Sequence, residues 1–394
     1  MKKEIFLFII IFIMATTIPF EKSAHLNSNP PSLVSESAIV IDAKTGEIIY
    51  EKNIDSNMYP ASITKIATAI YAIENGNLDE VVTISENARN TGGSSVYLEE
   101  GEQVPLKKLI QGLLINSGND AGVAIAEHLS GNIEQFSSDI NQYLEEKVGT
   151  KHTNFENPHG LYDPNHLTTA EDLATITQYA MENEVFREIN ATIELDWEGE
   201  TWDTTLINHH KLMREIPYEG ITGGKTGFTG QSGFTLATTA ERENLSVIVI
   251  TLKSYSQEAS YTDTMNLLDY AFENFQTTSI SKGTTFSTGD VDYEVTKDIF
   301  YTHKTDVEVE EKINEEGILN VLNKNDDTLI ATFQLDQVDS EANDRSLANK
   351  ETEHVELAEK KMTLFESYII EITFVSIFIL VLMGIINRKR WKLF

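Results

Sequence analysis

Three short stretches hold residue types that can do chemistry together. Pro60-Ala61-Ser62-Ile63-Thr64-Lys65 places a hydroxyl and an amine three residues apart at the start of a run with helical apolar spacing (Ile63, Ile66, Ala67, Ile70, Ile73), which Gly76 stops. On a helix, residues at that spacing share a face, so Ser62 and Lys65 can touch. A serine at a helix N-terminus also has unpaired backbone N–H groups beside it, a suitable cradle for an oxyanion. Ser117-Gly118-Asn119 falls between two apolar helical runs, and Lys225-Thr226-Gly227 falls in a glycine-rich stretch just before strand-like sequence. Each stretch alone has a bland reading: a capping serine with a solvated lysine, a helix junction, a phosphate loop. The last fails on spacing, because a phosphate loop needs glycine where this chain has Glu219.

The elements that must position these residues follow from the hydrophobic pattern. Ser37–Asp42 and residues 47–52 read as strands joined by Ala43-Lys44-Thr45-Gly46, and residues 79–85 as a short strand. Residues 87–101 read as a loop centred on Thr91-Gly92-Gly93-Ser94. Pro105 opens a helix reaching Asn116, a second helix runs from Asn119 to about Leu129, and a third from Ile133 to Val148, before Gly149. Residues 169–183 form another amphipathic helix. Strands at 233–239 and 245–252 and a helix over 258–275 close the region. With strands at both ends and helices between, the terminal strands are expected to meet in one sheet beside a helical cluster.

From Ser279 the chain changes to short alternating runs (291–295, 307–309, 318–322, 328–335), expected to form a small β-rich domain over 279–336. Residues 337–366 read as a polar, acidic stalk. Residues 368–387 are nearly all apolar and long enough to cross a bilayer, and the basic tail at 388–394 is expected on the cytoplasmic side. Met1-Lys2-Lys3 and the apolar run after it look like an export signal over residues 1–24. Lys22 sits badly for cleavage after Ala24, so an uncleaved anchor stays open. The bulk of the chain is therefore expected outside the membrane.

Composition narrows the function further. The 394 residues contain no cysteine, which excludes disulfides and a thiol nucleophile, and the formal net charge of −32 argues against nucleic acid as a partner. No H-e-x-x-H pattern exists and His209-His210 is not a metal pattern, so zinc hydrolysis is not expected.

The order S-x-x-K, S-x-N, K-T-G is the signature of the serine penicillin-recognising enzymes. Over residues 33–276 the chain resembles the D-alanyl-D-alanine carboxypeptidases, the low-molecular-mass penicillin-binding proteins. Ser94-Ser95-Val96-Tyr97, Ser117-Gly118-Asn119-Asp120-Ala121, Asn157-Pro158-His159-Gly160-Leu161 and Thr168-Thr169-Ala170 carry the likeness beyond the three motifs. The resemblance implies a mixed α/β fold: an antiparallel sheet with helices on its faces and an all-helical subdomain, as in serine β-lactamases and penicillin-binding proteins, followed by the β-rich domain and membrane anchor. It implies removal of the terminal D-alanine from peptidoglycan stem pentapeptides through an acyl-enzyme, with β-lactams as covalent inhibitors and no cofactor. Ser62 would be the nucleophile, Lys65 its base and Ser117 a proton relay. Asn119, Lys225, Thr226 and Gly227 would hold substrate, and the backbone N–H groups of Ser62 and Phe228 would form the oxyanion hole. Arg242 lies in a polar turn and reads as a surface residue, and His159 as structural support beneath the site. Rival readings are a serine β-lactamase, in which Glu156 or Glu171 would serve deacylation, and a non-catalytic wall-binding scaffold of the same fold. A transpeptidase shares the first chemical step.

Overall fold

A computed structural model describes residues 29–338, 361–362 and 368. The expected export signal, the stalk beyond Val338 apart from Lys361 and Met362, the apolar segment after Tyr368 and the basic tail lie outside these residues. Among the described residues no helix is long and apolar enough to cross a membrane.

The described chain divides into two compact units. One holds everything up to Ser281 together with Asp298–Lys312 and Asn320–Thr332; the other holds Lys282–Lys297, Ile313–Leu319 and the chain from Phe333. The first unit is built on a five-stranded antiparallel sheet. Its order is Ile48–Lys52, Ser37–Asp42, Leu245–Ser254, Gly233–Arg242, Ile221–Thr229. The expected meeting of early and late strands occurs here: Ser37 pairs with Leu252 and Asp42 with Val247.

The sheet is buried on both faces, and the pleat sorts its residues between two cores. Ile39, Ile41, Ile248 and Ile250 turn to a core shared with the helices between the strands. Ala38, Val40, Val247 and Val249 turn to a second core under the helix Gln257–Asn274, which contributes Tyr261, Leu267 and Leu268. This is why Ala38–Ile41 read as an unbroken apolar run rather than an alternating one: all six residues of the strand are buried.

The helical cluster comprises Thr64–Asn75, Leu106–Ile115, Asn119–Ser130, Ile133–Tyr143 and Ala170–Glu182. The third of the helices expected from sequence ends its α geometry at Tyr143 and continues as a π-helical turn over Leu144–Val148, closed by Gly149 in the left-handed region. The region read as a loop from residue 87 begins with a helical turn, Glu86–Arg89, capped by the Ser85 side chain. Two hairpin strands, Glu194–Glu198 and Asp203–Ile207, bury Trp197 and were not anticipated, since five-residue strands with one buried position each carry little pattern.

Strand Phe275–Ile280 pairs with Ile299–Lys304 within the first unit. The Asp42 carboxylate joins this pair to the main sheet by accepting from the Thr277 and Thr302 hydroxyls, at 2.5 and 2.7 Å. The second unit contains strands Thr285–Thr288, Val291–Glu294 and Asp336–Gln337 in one small sheet.

Candidate active site

The first motif begins in strain. Ala61 has φ +49°, and Ala61–Ile63 form a 3-10 turn that runs into the helix Thr64–Asn75. A left-handed non-glycine residue costs on the order of 1–3 kcal/mol, so its surroundings must hold it. The Thr64 hydroxyl donates to Ala61 O at 2.9 Å, and the Thr235 hydroxyl, on a sheet strand, donates to Pro60 O at 2.9 Å. The loop ending in Gly160 presses from the other side, so closely that a Cβ at Gly160 would stand 1.8 Å from Ala61 O. These contacts fix Ser62 at the head of the helix, and its hydroxyl opens into a cavity of about 240 Å³.

Lys65 is fully buried, and its Nζ has three oxygen neighbours: Ser62 Oγ at 2.8 Å, Asn119 Oδ1 at 2.7 Å and the His159 carbonyl at 2.8 Å. The Asn119 orientation is set independently, because its Nδ2 donates to Gly92 O at 2.7 Å and leaves Oδ1 facing the amine. Asn119 Oδ1 and the His159 carbonyl can only accept. An uncharged amine has two hydrogens, which those two acceptors use, and its lone pair is left for the Ser62 hydroxyl. Burial, with the Lys225 charge adding to it, holds Lys65 well below the ordinary lysine range, while Asp120 pulls weakly the other way. Burial and the neighbouring Lys225 charge thus both act against a proton on Lys65, and once uncharged the amine can accept from the Ser62 hydroxyl.

The second motif sits at a tight junction between helices Leu106–Ile115 and Asn119–Ser130. Ser117 has φ +60° and is buried, and the Gly118 N–H donates to Gly112 O at 3.0 Å. A Cβ on Gly118 would lie 2.9 Å from Asp120 Oδ1 and 3.3 Å from Gly112 O, which accounts for glycine between Ser117 and Asn119. Asp120 then pins the loop above. Its carboxylate accepts from the Ser95 hydroxyl at 2.6 Å and from the Val96, Leu98 and Ala121 N–H groups at 2.9–3.1 Å. Sequence reasoning gave Asp120 no task; an acidic residue directly after the motif, in the first turn of its helix, was the available signal.

The third motif lies in Ile221–Thr229, at the edge of the sheet, so among the described residues one side of its backbone has no strand partner. Gly227 packs against the nucleophile turn: a Cβ there would stand 2.4 Å from Thr235 Oγ1 and 2.8 Å from the Ser62 nitrogen. Only a glycine lets the strand approach this closely. Lys225 is buried, its Nζ donates to Thr226 O at 3.2 Å, and burial lowers its pKa to about 7. His210 supports the strand from beneath, with Nε2 2.8 Å from Thr238 Oγ1 and its ring edge against Gly224.

Ser62, Ser117, Thr226, Gly227 and Phe228 thus line one cavity, with Lys65 and Asn119 joined to it through Ser62. Lys225 is close enough to act on Lys65. Arg242 is elsewhere: it stacks on Tyr218 and Phe272, with centroid distances of 4.4 and 4.8 Å, and donates to Glu219 O. Neither Glu156 nor Glu171 lines the cavity; Glu156 accepts from Asn154, and Glu171 pairs with Lys151 at 3.1 Å. His159 is buried as expected, but it meets the site through its main-chain carbonyl, which no side-chain pattern can reveal.

A family model described as D-alanyl-D-alanine carboxypeptidase matches residues 24–256. The chain belongs to that family. It is 33% identical over 255 residues to the D-alanyl-D-alanine carboxypeptidase DacF of Bacillus subtilis, covering 63% of this chain and 64% of that one. It is 30% identical over 339 residues to the D-alanyl-D-alanine carboxypeptidase DacA of Escherichia coli K12, covering 78% of this chain and 81% of that one. Among solved structures, penicillin binding protein 5 from Haemophilus influenzae matches with a TM-score of 0.70 at 27% identity, over 78% of this chain and 98% of the other. The matched region spans just under two thirds of the Bacillus relative and most of the Haemophilus structure. The fold is therefore that of a low-molecular-mass penicillin-binding protein, with the serine peptidase motifs of the carboxypeptidase family converging on one cleft.

Proposed function

We propose that this protein is a serine-type D-alanyl-D-alanine carboxypeptidase that removes the terminal D-alanine from peptidoglycan stem pentapeptides. The observation that carries the reading is the buried Lys65 amine 2.8 Å from Ser62 Oγ, with Asn119 Oδ1 and the His159 carbonyl as its other partners. The stem peptide lies extended along the free edge of Ile221–Thr229, its terminal carboxylate toward Lys225 and Thr226. The second Asn119 Nδ2 hydrogen is available to a substrate carbonyl. Ser62 Oγ attacks the carbonyl between the two D-alanines as its proton passes to Lys65 Nζ. The oxyanion forms between the N–H groups of Ser62 and Phe228, one such donor being worth about 3–4 kcal/mol. The proton then reaches the leaving amine through Ser117, the C–N bond breaks and D-alanine departs. Water, giving its proton to Lys65, hydrolyses the ester and frees Ser62. A β-lactam takes the same first step and remains as the ester.

Incubation of the protein with an acyl-D-alanyl-D-alanine pentapeptide, with and without penicillin, tests this. D-alanine is expected to be released at one equivalent per peptide, penicillin is expected to block release, and its mass is expected on the peptide bearing Ser62. Rapid penicillin turnover without such an adduct would instead indicate a β-lactamase.

The apolar segment 368–387 and the basic residues after it support attachment to the outer face of the cell membrane, following export by residues 1–24. A chain ending at residue 366 is expected in the soluble fraction, whereas the full chain sediments with membranes; equal distribution of the two would remove the anchor.

A further inference from the structure

A chain of hydrogen bonds runs from the loop behind the nucleophile to the peptide that joins Ala61 to Ser62, and its direction follows from which groups can donate. The Glu156 N–H, which can only donate, gives its hydrogen to His166 Nδ1 at 3.0 Å. Nδ1 therefore carries no proton, and the ring carries its one hydrogen on Nε2. Nε2 lies 2.8 Å from Thr64 Oγ1, so the ring donates there and the hydroxyl accepts. The single hydroxyl hydrogen is left for Ala61 O, at 2.9 Å. The ring is firmly seated: it is 2% exposed and stacks on Phe155, with centroids 4.8 Å apart and planes 16° from parallel. Burial lowers its pKa to about 3, which agrees with the neutral form that the bond from Glu156 requires.

The peptide at the end of this chain has a special position. A trans peptide holds its C=O and its N–H in one plane, pointing opposite ways. On the oxygen side of the Ala61–Ser62 peptide stand Thr64 Oγ1 and Gly160, packed too closely for any Cβ at Gly160. On the nitrogen side stands Gly227, where a Cβ would lie 2.8 Å from the Ser62 nitrogen. Fixing the oxygen thus fixes where the Ser62 N–H points. The fixing is needed because Ala61, at φ +49°, would relax by turning the peptides on either side of it. Thr64 and His166 are both buried, and neither lines the cavity that holds Ser62.

We propose that His166 and Thr64 are positioning residues for the oxyanion donor: the imidazole locks the Thr64 hydroxyl, and the hydroxyl locks the Ala61–Ser62 peptide with its N–H toward the carbonyl under attack. This role rests on the carboxypeptidase reading above, which places the oxyanion at that N–H. By donating to Thr64, the ring denies the hydroxyl any other direction for its hydrogen than Ala61 O. The oxyanion exists only once Ser62 has attacked, so a misdirected N–H slows acylation and leaves binding of the intact substrate or penicillin as it was.

Stopped-flow mixing of the full chain with a fluorescent penicillin tests this, because it separates the affinity of the first, noncovalent complex from the acylation rate constant. Thr64→Val removes the hydroxyl at nearly constant volume, and His166→Phe keeps a ring against Phe155 without its nitrogens. Each is expected to lower the acylation rate constant about tenfold or more, a part of the roughly hundredfold to thousandfold that one oxyanion donor carries, with the affinity of the first complex within about twofold of wild type. Thr64→Ser, which keeps the hydroxyl, is expected to regain most of the rate. The two substitutions combined are expected to slow acylation no further than the slower of the two alone, since the residues act in series. Nitrogen NMR of the wild-type imidazole, which needs no variant to fold, is expected to show His166 protonated on Nε2 and bare on Nδ1 between about pH 5 and 8. Unchanged acylation in Thr64→Val or His166→Phe, equal losses of affinity and rate, losses that multiply in the double variant, or a ring protonated on Nδ1 would each overturn the assignment. Wild-type protein that took up penicillin but released no D-alanine from a pentapeptide would overturn the carboxypeptidase reading and leave this role standing.

Discussion

Replacing Lys65 by methionine tests the protonation state on which acylation depends, and it does so without an activity assay. The side chain is fully buried, and desolvation with the Lys225 charge holds its pKa well below the ordinary lysine range. In the unfolded chain the same amine stays protonated up to its ordinary value near 10.4. Between its depressed folded pKa and that value, the unfolded state therefore binds one proton more than the folded state. Stability then rises with pH across the window and is lost as pH falls, at about 1.4 kcal/mol per pH unit for one group. Lys225 contributes a parallel slope above its own value of about 7, and burial is its cause, so it persists when Lys65 is removed. The difference between wild type and Lys65→Met isolates Lys65. Between the depressed folded value and the ordinary one, the wild type is expected to gain about 1.4 kcal/mol per pH unit relative to the variant. Urea unfolding at several pH values, with midpoint and m-value fitted separately, measures this difference. Its absolute level is not the readout, since methionine also leaves Asn119 Oδ1 and the His159 carbonyl without their donor. Parallel stability curves over the whole range would mean that Lys65 folds protonated, and the lone-pair argument for Ser62 activation would fall with it.

Four further outcomes follow from the contacts. Gly227→Ala is expected to slow penicillin acylation of Ser62 by at least a hundredfold, because the new Cβ would stand 2.8 Å from the Ser62 nitrogen and disturb an oxyanion donor of roughly that worth; stopped-flow with a fluorescent penicillin reads it, and an unchanged rate would refute the donor's position. Asp120→Ala leaves the buried Val96 and Leu98 N–H groups unpaired and is expected to cost about 3 kcal/mol in urea unfolding, at about 1–3 kcal/mol per orphaned group; a loss below about 1 kcal/mol would show that the Ser94–Leu98 segment is held by other means. Thr235→Val removes the hydroxyl tie to Pro60 O and is expected to cost about 1 kcal/mol with a clear drop in acylation rate; an unchanged rate would show that this tie does not hold Ser62 in place. Acylation of the wild type is expected to persist at neutral pH, well below the ordinary lysine range, because Lys65 is the group that must be unprotonated; a rate that rises only toward pH 10 would contradict this.

The chemistry and much of the frame were legible in the order of residues. A hydroxyl and an amine at helical spacing must meet whenever that segment is helical, so Ser62 and Lys65 were legible from local geometry alone. The strands Ser37–Asp42 and Leu245–Ser254 announced themselves by apolar composition, because a strand buried on both faces has no polar side to display. Short strands with one buried residue, such as Asp203–Ile207, left no comparable mark. The pairing of distant polar groups, by contrast, becomes visible only in the folded chain. The His159 carbonyl on Lys65, the Gly92 carbonyl on Asn119, the Thr235 hydroxyl on Pro60 O and the Asp120 carboxylate on the Ser94–Leu98 segment all join residues far apart in the chain. Main-chain carbonyls are identical at every residue, so no pattern of side chains can mark which one will accept.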